Sequence, residues 1–297
     1  MAGLVECVPN VSEGRRPDVV DGLVEIVRAV AGVRILDVTS DADHNRSVIT
    51  FAGDAPAVES AALALVDAAY RAIDLRTHKG EHPRIGAVDV VPFVPLAGTT
   101  MDDCVGIARR VGRVVAEKHQ VPVYYYAKAA TLPERVRLPD IRKPQFEGLP
   151  DVIGTTHVPD EGPARVHPSA GAIVVGARPP LIAFNIELDT PDVGIAKRIA
   201  RSIRESSGGM PAVQAMGFAL TDPPRAQVSM NLLDHSVTSL ARVFEEVERQ
   251  ARECGVKVLR GELIGLAPLD AILEVARCSL VLPSLVRTQV IEGHFIE

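Results

Sequence analysis

The sequence predicts an α/β (α+β) protein of two subdomains. Each is a βαββαβ, ferredoxin-like mixed sheet with helices on its outer face, and the expected substrate cleft lies between them. Three observations carry this expectation. The chain has 297 residues, more than one compact core usually holds at ~100–200 residues per domain. Apolar segments of strand period and helix period alternate along it. The order β-α-β-β-α-β occurs twice, over 3–96 and over 181–266, which reads as two split βαβ units. The two stretches share an order of elements without obvious identity, so a duplication does not follow. The boundary candidate is "RPP" (178–180), which divides 1–178 from 179–297.

The elements follow in order. "GLVECVP" (3–9) is a short apolar run stopped by Pro9, a strand. "RPDVVDGLVEIVRAVAG" (16–32) has apolar residues at helical spacing and ends at Gly32. "VRILDVTS" (33–40) and "RSVITFAG" (46–53) are strands rich in β-branched residues. Asp54 caps a helix that has Pro56 in its first turn and runs to about Leu75. "GAVDVVPFVPL" (86–96) is a strand in which Pro92 and Pro95 predict an edge or a bulge. Thr100 and Asp103 open a helix with a capping-box variant, and "VPVYYYA" (121–127) is one more strand.

Residues 128–170 hold many prolines and little periodicity, and read as a long ordered excursion with short helices. "GAIVVGA" (171–177) and "LIAFNIEL" (181–188) are strands on either side of the boundary. A helix starts at Pro191. Two strands, "MPAVQAMGFAL" and "AQVSMNLLD", flank the turn "TDPPR". A helix over 236–255 has Gly255 past its end, a strand covers 256–266, and a last helix starts at Pro268.

Composition excludes several classes of function. Hydrophobic residues make up 47% and charged residues 24%, enough for a substantial core and too apolar for disorder. The formal net charge is −6 and aromatics are 4% without tryptophan, which argues against a nucleic-acid partner. Cys7, Cys104, Cys254 and Cys278 are widely spaced, which suggests reduced thiols and neither a redox pair nor a cysteine zinc site. The start "MAGLVECVPNVSEGRR" has no signal-peptide pattern, and no apolar run approaches membrane length. The expectation is a cytoplasmic protein with no membrane partner.

The densest cluster of chemically able residues is "HKGEHPRIGAVDV" (78–90). Its first five letters match H-x-x-E-H, which binds zinc when a helix turns both histidines to one side. Gly80 and Pro83 oppose that helix, because glycine is a poor helix former and a proline pushes the preceding residue, His82, out of helical conformation. No metal is expected. The stretch instead reads as a loop feeding a strand, with Lys79, Glu81, His82 and Arg84 close together: a general base beside cations for an anion.

At this stretch the sequence resembles the formiminotransferase family. "HKGEHPRIGAVDVVPFVP" is similar to the family signature, and "LVECVPNVSEGR" (4–15) to its N-terminal motif. "LDVTSDADHNRSVITFAG" (36–53), "VPVYYYAKAA" (121–130), "GARPPLIAFNIEL" (176–188), "AQVSMNLLD" (226–234) and "ELIGLAPLDAIL" (262–273) follow in the family's order. The resemblance runs to about residue 275, and the tail 276–297 departs from the pattern and is assigned no role.

The resemblance implies N- and C-terminal formiminotransferase subdomains and usually a homodimer. It implies transfer of a formimino group from N-formimino-L-glutamate to N5 of tetrahydrofolate, a co-substrate, in histidine degradation. Formiminoglycine as donor, or formyl transfer between 5-formyltetrahydrofolate and glutamate, is the alternative chemistry. Animal relatives carry a helical cyclodeaminase domain that the 297 residues leave no room for, so cyclisation is expected elsewhere.

By the same resemblance His82 is the catalytic residue, a proton shuttle suited by an ordinary histidine pKa of ~6.5. Arg46, Lys79 and Arg84 are candidate binders of the substrates' carboxylates. Asn10, Glu13 and Asn231 are expected to line the cleft, with Glu13 alternatively starting a helix. Asp43 and His44 are candidates to orient His82, and His78 has at most a supporting place. The folate-contacting stretch is Pro163, Ala164, Arg165, Val166, His167, Pro168, Ser169, Ala170, Gly171 and Ala172, where small residues would let a flat pterin approach the backbone. Arg165 and His167 depart from the family pattern.

Overall fold

The computed structural model describes residues 3–291. The chain forms two compact units, divided between Arg178 and Pro179.

The first unit begins with β1 (Leu4–Cys7) and β2 (Asn10–Val11), then α1 (Pro17–Arg28), β3 (Val33–Asp41), β4 (Arg46–Asp54), α2 (Ala55–Ala72) and β5 (Val88–Pro95). Helix α3 (Met101–His119), β6 (Val123–Ala127), two short helices α4 (Leu138–Arg142) and α5 (Gln145–Val152), and β7 (Ile173–Ala177) follow. The seven strands form one sheet in the order β3-β4-β1/β2-β5-β7-β6. The first four positions are antiparallel and reproduce the split βαβ arrangement, while β7 adds in parallel to β5 and β6 in parallel to β7.

Local chemistry explains the helix starts. The Asp54 carboxylate accepts the Ala57 N–H at the head of α2. Thr100 and Asp103 exchange side-chain and backbone hydrogen bonds in a full capping box at the head of α3. The apolar stripes of α1, α2 and α3 pack with one sheet face into the main core, which includes Val27, Phe51, Leu65, Phe93, Ile107 and Val175.

The opposite face is covered in part by α4 and α5. Tyr124, Tyr126, Val90 and Val174 point that way and pack with Ile141 and Leu149. The excursion 128–170 is therefore ordered, and it adds helices to the face that was expected to carry none. Of the edge or bulge expected for β5, the edge is not found: β5 lies inside the sheet, with β1 and β2 on one side and β7 on the other, and its pairing with β2 shifts register between Asn10 and Val11. Pro92 is tolerated there because its carbonyl, which accepts from the Val8 N–H at 3.2 Å, faces the break between β1 and β2. The N–H that proline lacks would point into that same break, so no ladder bond is lost.

The second unit runs β8 (Ile182–Leu188), α6 (Val193–Ile203), β9 (Val213–Thr221), β10 (Pro224–Leu232), α7 (Leu240–Glu253), β11 (Val258–Ile264) and α8 (Leu269–Ser279). Its four antiparallel strands are ordered β11-β8-β10-β9, the same arrangement of first, second, third and fourth strands as in the first unit. Asp192, and not Pro191, caps α6 by accepting the Gly194 N–H. The β9–β10 ladder runs to Thr221 and Pro224, so the turn is shorter than the sequence suggests. The core joins this sheet to α6, α7 and α8 through Ile186, Ile199, Val228, Val243, Val247 and Ala271. No helix among the described residues is long and apolar enough to cross a membrane.

Two glycines separate local from tertiary constraint. A Cβ on Gly86 would lie 1.8 Å from the Ala172 carbonyl oxygen, whereas one on Gly22, exposed within α1, would meet nothing within 4 Å. Gly86→Ala is expected to cost on the order of 2–3 kcal/mol through forced backbone displacement. Gly22→Ala is expected to stabilise by about 1 kcal/mol through helix propensity. Denaturant unfolding of both variants measures the two signs.

Candidate active site

The stretch 78–86 is a loop, pressed onto the turn between β3 and β4. A Cβ on Gly80 would stand 2.3 Å from the His44 carbonyl oxygen, so only glycine permits this approach. The Glu81 N–H donates to the Asp43 carbonyl, and Asn45 Nδ2 donates to the Lys79 carbonyl at 2.9 Å. The two histidines face different partners. His78 Nε2 meets the Asn45 carbonyl at 2.9 Å and His78 Nδ1 accepts from Arg84 Nε at 3.0 Å. A carbonyl can only accept, so Nε2 carries the proton and the ring is neutral, in keeping with a pKa that burial lowers.

His82 is half-buried, and its ring lies 6.3 Å from that of His44 in an edge-on arrangement. His44 is itself held by Asp41, whose Oδ2 meets Nδ1 at 2.8 Å and whose Oδ1 accepts the His44 N–H. Burial first, then the positive charges of Arg46 and Arg142, push the His82 pKa down to about 3. The ring is neutral near pH 7 and can accept a proton, but the free protein strongly resists its charging.

Two arginines create that field. Arg46 projects from β4 and donates Nη2 to Asn10 Oδ1. Arg142 ends α4 and reaches Asp89 on β5, with Nη2 and Oδ2 2.5 Å apart. Asp89 is 2% exposed, and its other oxygen accepts the Ile85 N–H at 2.8 Å. Burial and the nearby Arg142 lower the Arg46 pKa to about 10, so the Arg46 guanidinium remains charged near pH 7. Arg46 Nε and Arg142 Nε are out of water without a hydrogen-bond partner, and Arg142 Nη2 and Asp89 Oδ2 face each other as a close ion pair without hydrogen-bond geometry.

The other anticipated residues divide sharply. Asn10 is buried and spends both ends of its amide, on Arg46 and on the Val8 carbonyl, so it positions Arg46. Arg84 is 5% exposed, with its guanidinium committed to His78 and to Glu147 at 2.7 and 3.0 Å. It ties the loop to α5 and has no fork left for a substrate. Glu13 caps the approach to α1 by accepting the N–H groups of Arg15 and Arg16, the plainer of its two readings. Lys79 is exposed. Asn231 lies on β10 of the second unit, between Ala183 and Gln214.

The stretch 163–172 also divides. Ala170 and Ala172 are 1% and 0% exposed, and a Cβ on Gly171 would stand 2.2 Å from the Ile85 carbonyl oxygen. The smallness of Gly171 serves packing against Ile85 and Leu75. Arg165, Val166, His167 and Pro168, with His119 and Gln120, instead line a cavity of about 320 Å³. His167 Nδ1 accepts the Ala170 N–H, which shapes the loop. Burial and the charges of His119 and Arg165 hold the His167 pKa below its ordinary value.

Sequence reasoning missed Arg142 and Asp89. Arg142 sits in the aperiodic excursion, and the only signal was the density of cations in "RVRLPDIRK" (135–143) within a segment too long to be an idle loop. Asp89 was hidden in an apolar strand, where a lone acid is itself the signal. Among the described residues no group of three or more His, Cys, Asp and Glu side chains could hold a metal ion.

Comparison with known proteins agrees with the geometry of two units. Residues 4–178 match the formiminotransferase domain, N-terminal subdomain, and residues 183–286 match the formiminotransferase domain. A glutamate formimidoyltransferase of Streptococcus pyogenes is 44% identical, with 100% of each chain covered. A glutamate formimidoyltransferase of Thermoplasma acidophilum is 45% identical over 94% of this chain and 93% of its own. A formimidoyltransferase-cyclodeaminase of Rattus norvegicus is 44% identical over 93% of this chain, which spans 52% of the rat protein. Two subdomain matches in sequence order, with full-length relatives at this identity, mean that the chain belongs to the formiminotransferase family.

Proposed function

We propose that the protein transfers the formimino group of N-formimino-L-glutamate to N5 of tetrahydrofolate, giving 5-formiminotetrahydrofolate and L-glutamate, in histidine degradation. The single observation that carries the reading is His82, a neutral imidazole held on a glycine-closed loop beside two half-buried guanidinium groups. The full-length bacterial and archaeal relatives, named glutamate formimidoyltransferase, support it. The reading includes a homodimeric, cytoplasmic enzyme, as the resemblance of the motifs implies.

N5 is a secondary amine and attacks the formimino carbon with its lone pair. The carbon becomes tetrahedral, and the N5 proton must leave. His82 accepts it, then delivers it to the nitrogen of glutamate as the carbon–nitrogen bond breaks. One residue thus serves as base and then as acid. The resulting imidazolium is opposed by Arg46 and Arg142 unless a bound anion offsets them, so the proton is held only briefly. Pro83 restricts the backbone beside His82 and limits the ring's wandering. The cavity lined by Arg165–Pro168, His119 and Gln120 is assigned to tetrahydrofolate, supported by its place in the stretch that resembles the family's folate-contacting segment.

His82→Gln is expected to lower kcat by about 10²–10⁴-fold with formiminoglutamate and tetrahydrofolate, the usual worth of a positioned acid–base group. A kcat near that of wild type would remove His82 from the mechanism. Rates with formiminoglycine, and with 5-formyltetrahydrofolate plus glutamate, should fall well below the rate with formiminoglutamate; the reverse order would assign a different donor.

Arg84→Met tests the division between scaffold and site. It leaves Glu147 and His78 without their buried partner and is expected to destabilise the first unit by about 2–3 kcal/mol in denaturant unfolding. The KM values of folded protein should stay within about threefold of wild type, since charge-assisted contact with a substrate would be worth more than that.

A further inference from the structure

We propose that Arg142 and Arg46 together form the receptor for a carboxylate of the formimino donor, which makes Arg142 a substrate-binding residue. The proposal deepens the formimino-transfer reading and rests on it for the identity of the donor.

The charges around Asp89 do not balance. Arg142, from α4, shares the Asp89 carboxylate with the backbone N–H of Ile85. Among the described residues the Arg46 guanidinium hydrogen-bonds the neutral amide of Asn10 and forms no ion pair. Two guanidinium charges therefore lie near one carboxylate, and the adjacent His82 is neutral. The remaining nearby acid, Asp41, is exposed and engaged by His44. Each arginine also leaves a buried Nε unpartnered, although buried polar groups are nearly always satisfied. Nη1 of each arginine makes no hydrogen bond within the described residues and is not sealed from water. An incoming carboxylate would supply the missing charge and acceptors, in the forked geometry that guanidinium groups favour.

Both reactants carry carboxylates, and distance from the reacting centre chooses between them. His82 lies beside this pair: three residues after it the Ile85 N–H shares Asp89 with Arg142, and its ring stands 6.3 Å from that of His44, two residues before Arg46. As the proton shuttle it must stand at the transferred carbon. In the donor, a carboxylate shares a carbon with the reacting nitrogen. In the folate, the glutamyl carboxylates lie a whole aminobenzoyl group beyond N5. The donor's carboxylate fits this place. Its arrival also cancels part of the field that suppresses protonation of His82, so donor binding would bring the shuttle towards its working range. The charged and titratable groups facing His82 are Arg46 from β4, Arg142 from α4, and His44 from the β3–β4 turn, with Asp89 behind the arginines on β5.

The test uses the full chain with Arg142→Lys, Arg142→Gln, and the double variant Asp89→Asn/Arg142→Met, which removes both ends of the pair together and leaves Arg46 as the one guanidinium at the place. Binding of L-glutamate and of glutarate is measured by calorimetry, and KM for formiminoglutamate and for tetrahydrofolate by steady-state kinetics. All three variants should weaken both ligands and raise the donor KM by about 10- to 100-fold, with the tetrahydrofolate KM within twofold. The acid limb of kcat/KM should move to higher pH in Arg142→Gln, because losing a nearby positive charge raises the His82 pKa.

Wild-type affinity in the double variant would make Arg142 a structural counter-ion only and overturn the proposal. A raised tetrahydrofolate KM with an unchanged donor KM would assign the pair to the folate tail and overturn it equally. Dicarboxylate binding needs no turnover. If wild type binds glutamate through Arg142 yet fails to transfer from formiminoglutamate, the donor assignment falls while the receptor stands.

Discussion

Asp89 is a carboxylate almost out of reach of water, set in the middle of an otherwise apolar strand. Such a group is costly to bury unless it is paired and hydrogen-bonded. The Ile85 N–H takes one oxygen and Arg142 takes the other. This one pairing organises much of what surrounds it. It turns the backbone where the loop 78–86 enters β5. It anchors α4, and with it the excursion 128–170, on the open face of the first sheet. It also places a second guanidinium beside Arg46, so that the site carries a positive field where His82 projects.

Close backbone approach complements that charge. Gly80 lets the loop lie on the β3–β4 turn, and Gly86 and Gly171 let two backbones pass where any side chain would collide. The segment 170–172 is thereby locked beneath the loop that carries His82. Here the folate-resembling stretch is scaffold at its end and cavity lining at its start. Arg84 plays a related part: its buried fork fixes His78 and joins the loop to α5, which makes it a brace beside the site.

Much of the fold was legible because local signals agreed with one another. The caps at Asp54 and Thr100, the β-branched runs at 33–53 and the boundary at 178–180 can each be read from a few adjacent residues. The remaining features depend on partners distant in sequence. Pro92 marks an edge or a bulge in isolation, and it lies in an interior strand because Pro9 breaks the neighbouring one and the pairing shifts register there. The need for glycine at 171 comes from Ile85 and Leu75, which occupy the place of a Cβ. Arg142 has no periodic context, and nothing nearby in sequence announces that it will meet Asp89, 53 positions away by their numbers.

The sequence by itself determined the two βαββαβ orders, the loop character of 78–86 and the family, since helix caps, residue period and contiguous motifs act over short spans. Only the tertiary structure decided which cations are spent and which remain for an anion. Arg84 and Arg46 look alike in sequence, but one is consumed by Glu147 and the other hydrogen-bonds a neutral amide. That difference arises from long-range packing, which sets charge balance and burial together, and no local pattern encodes it.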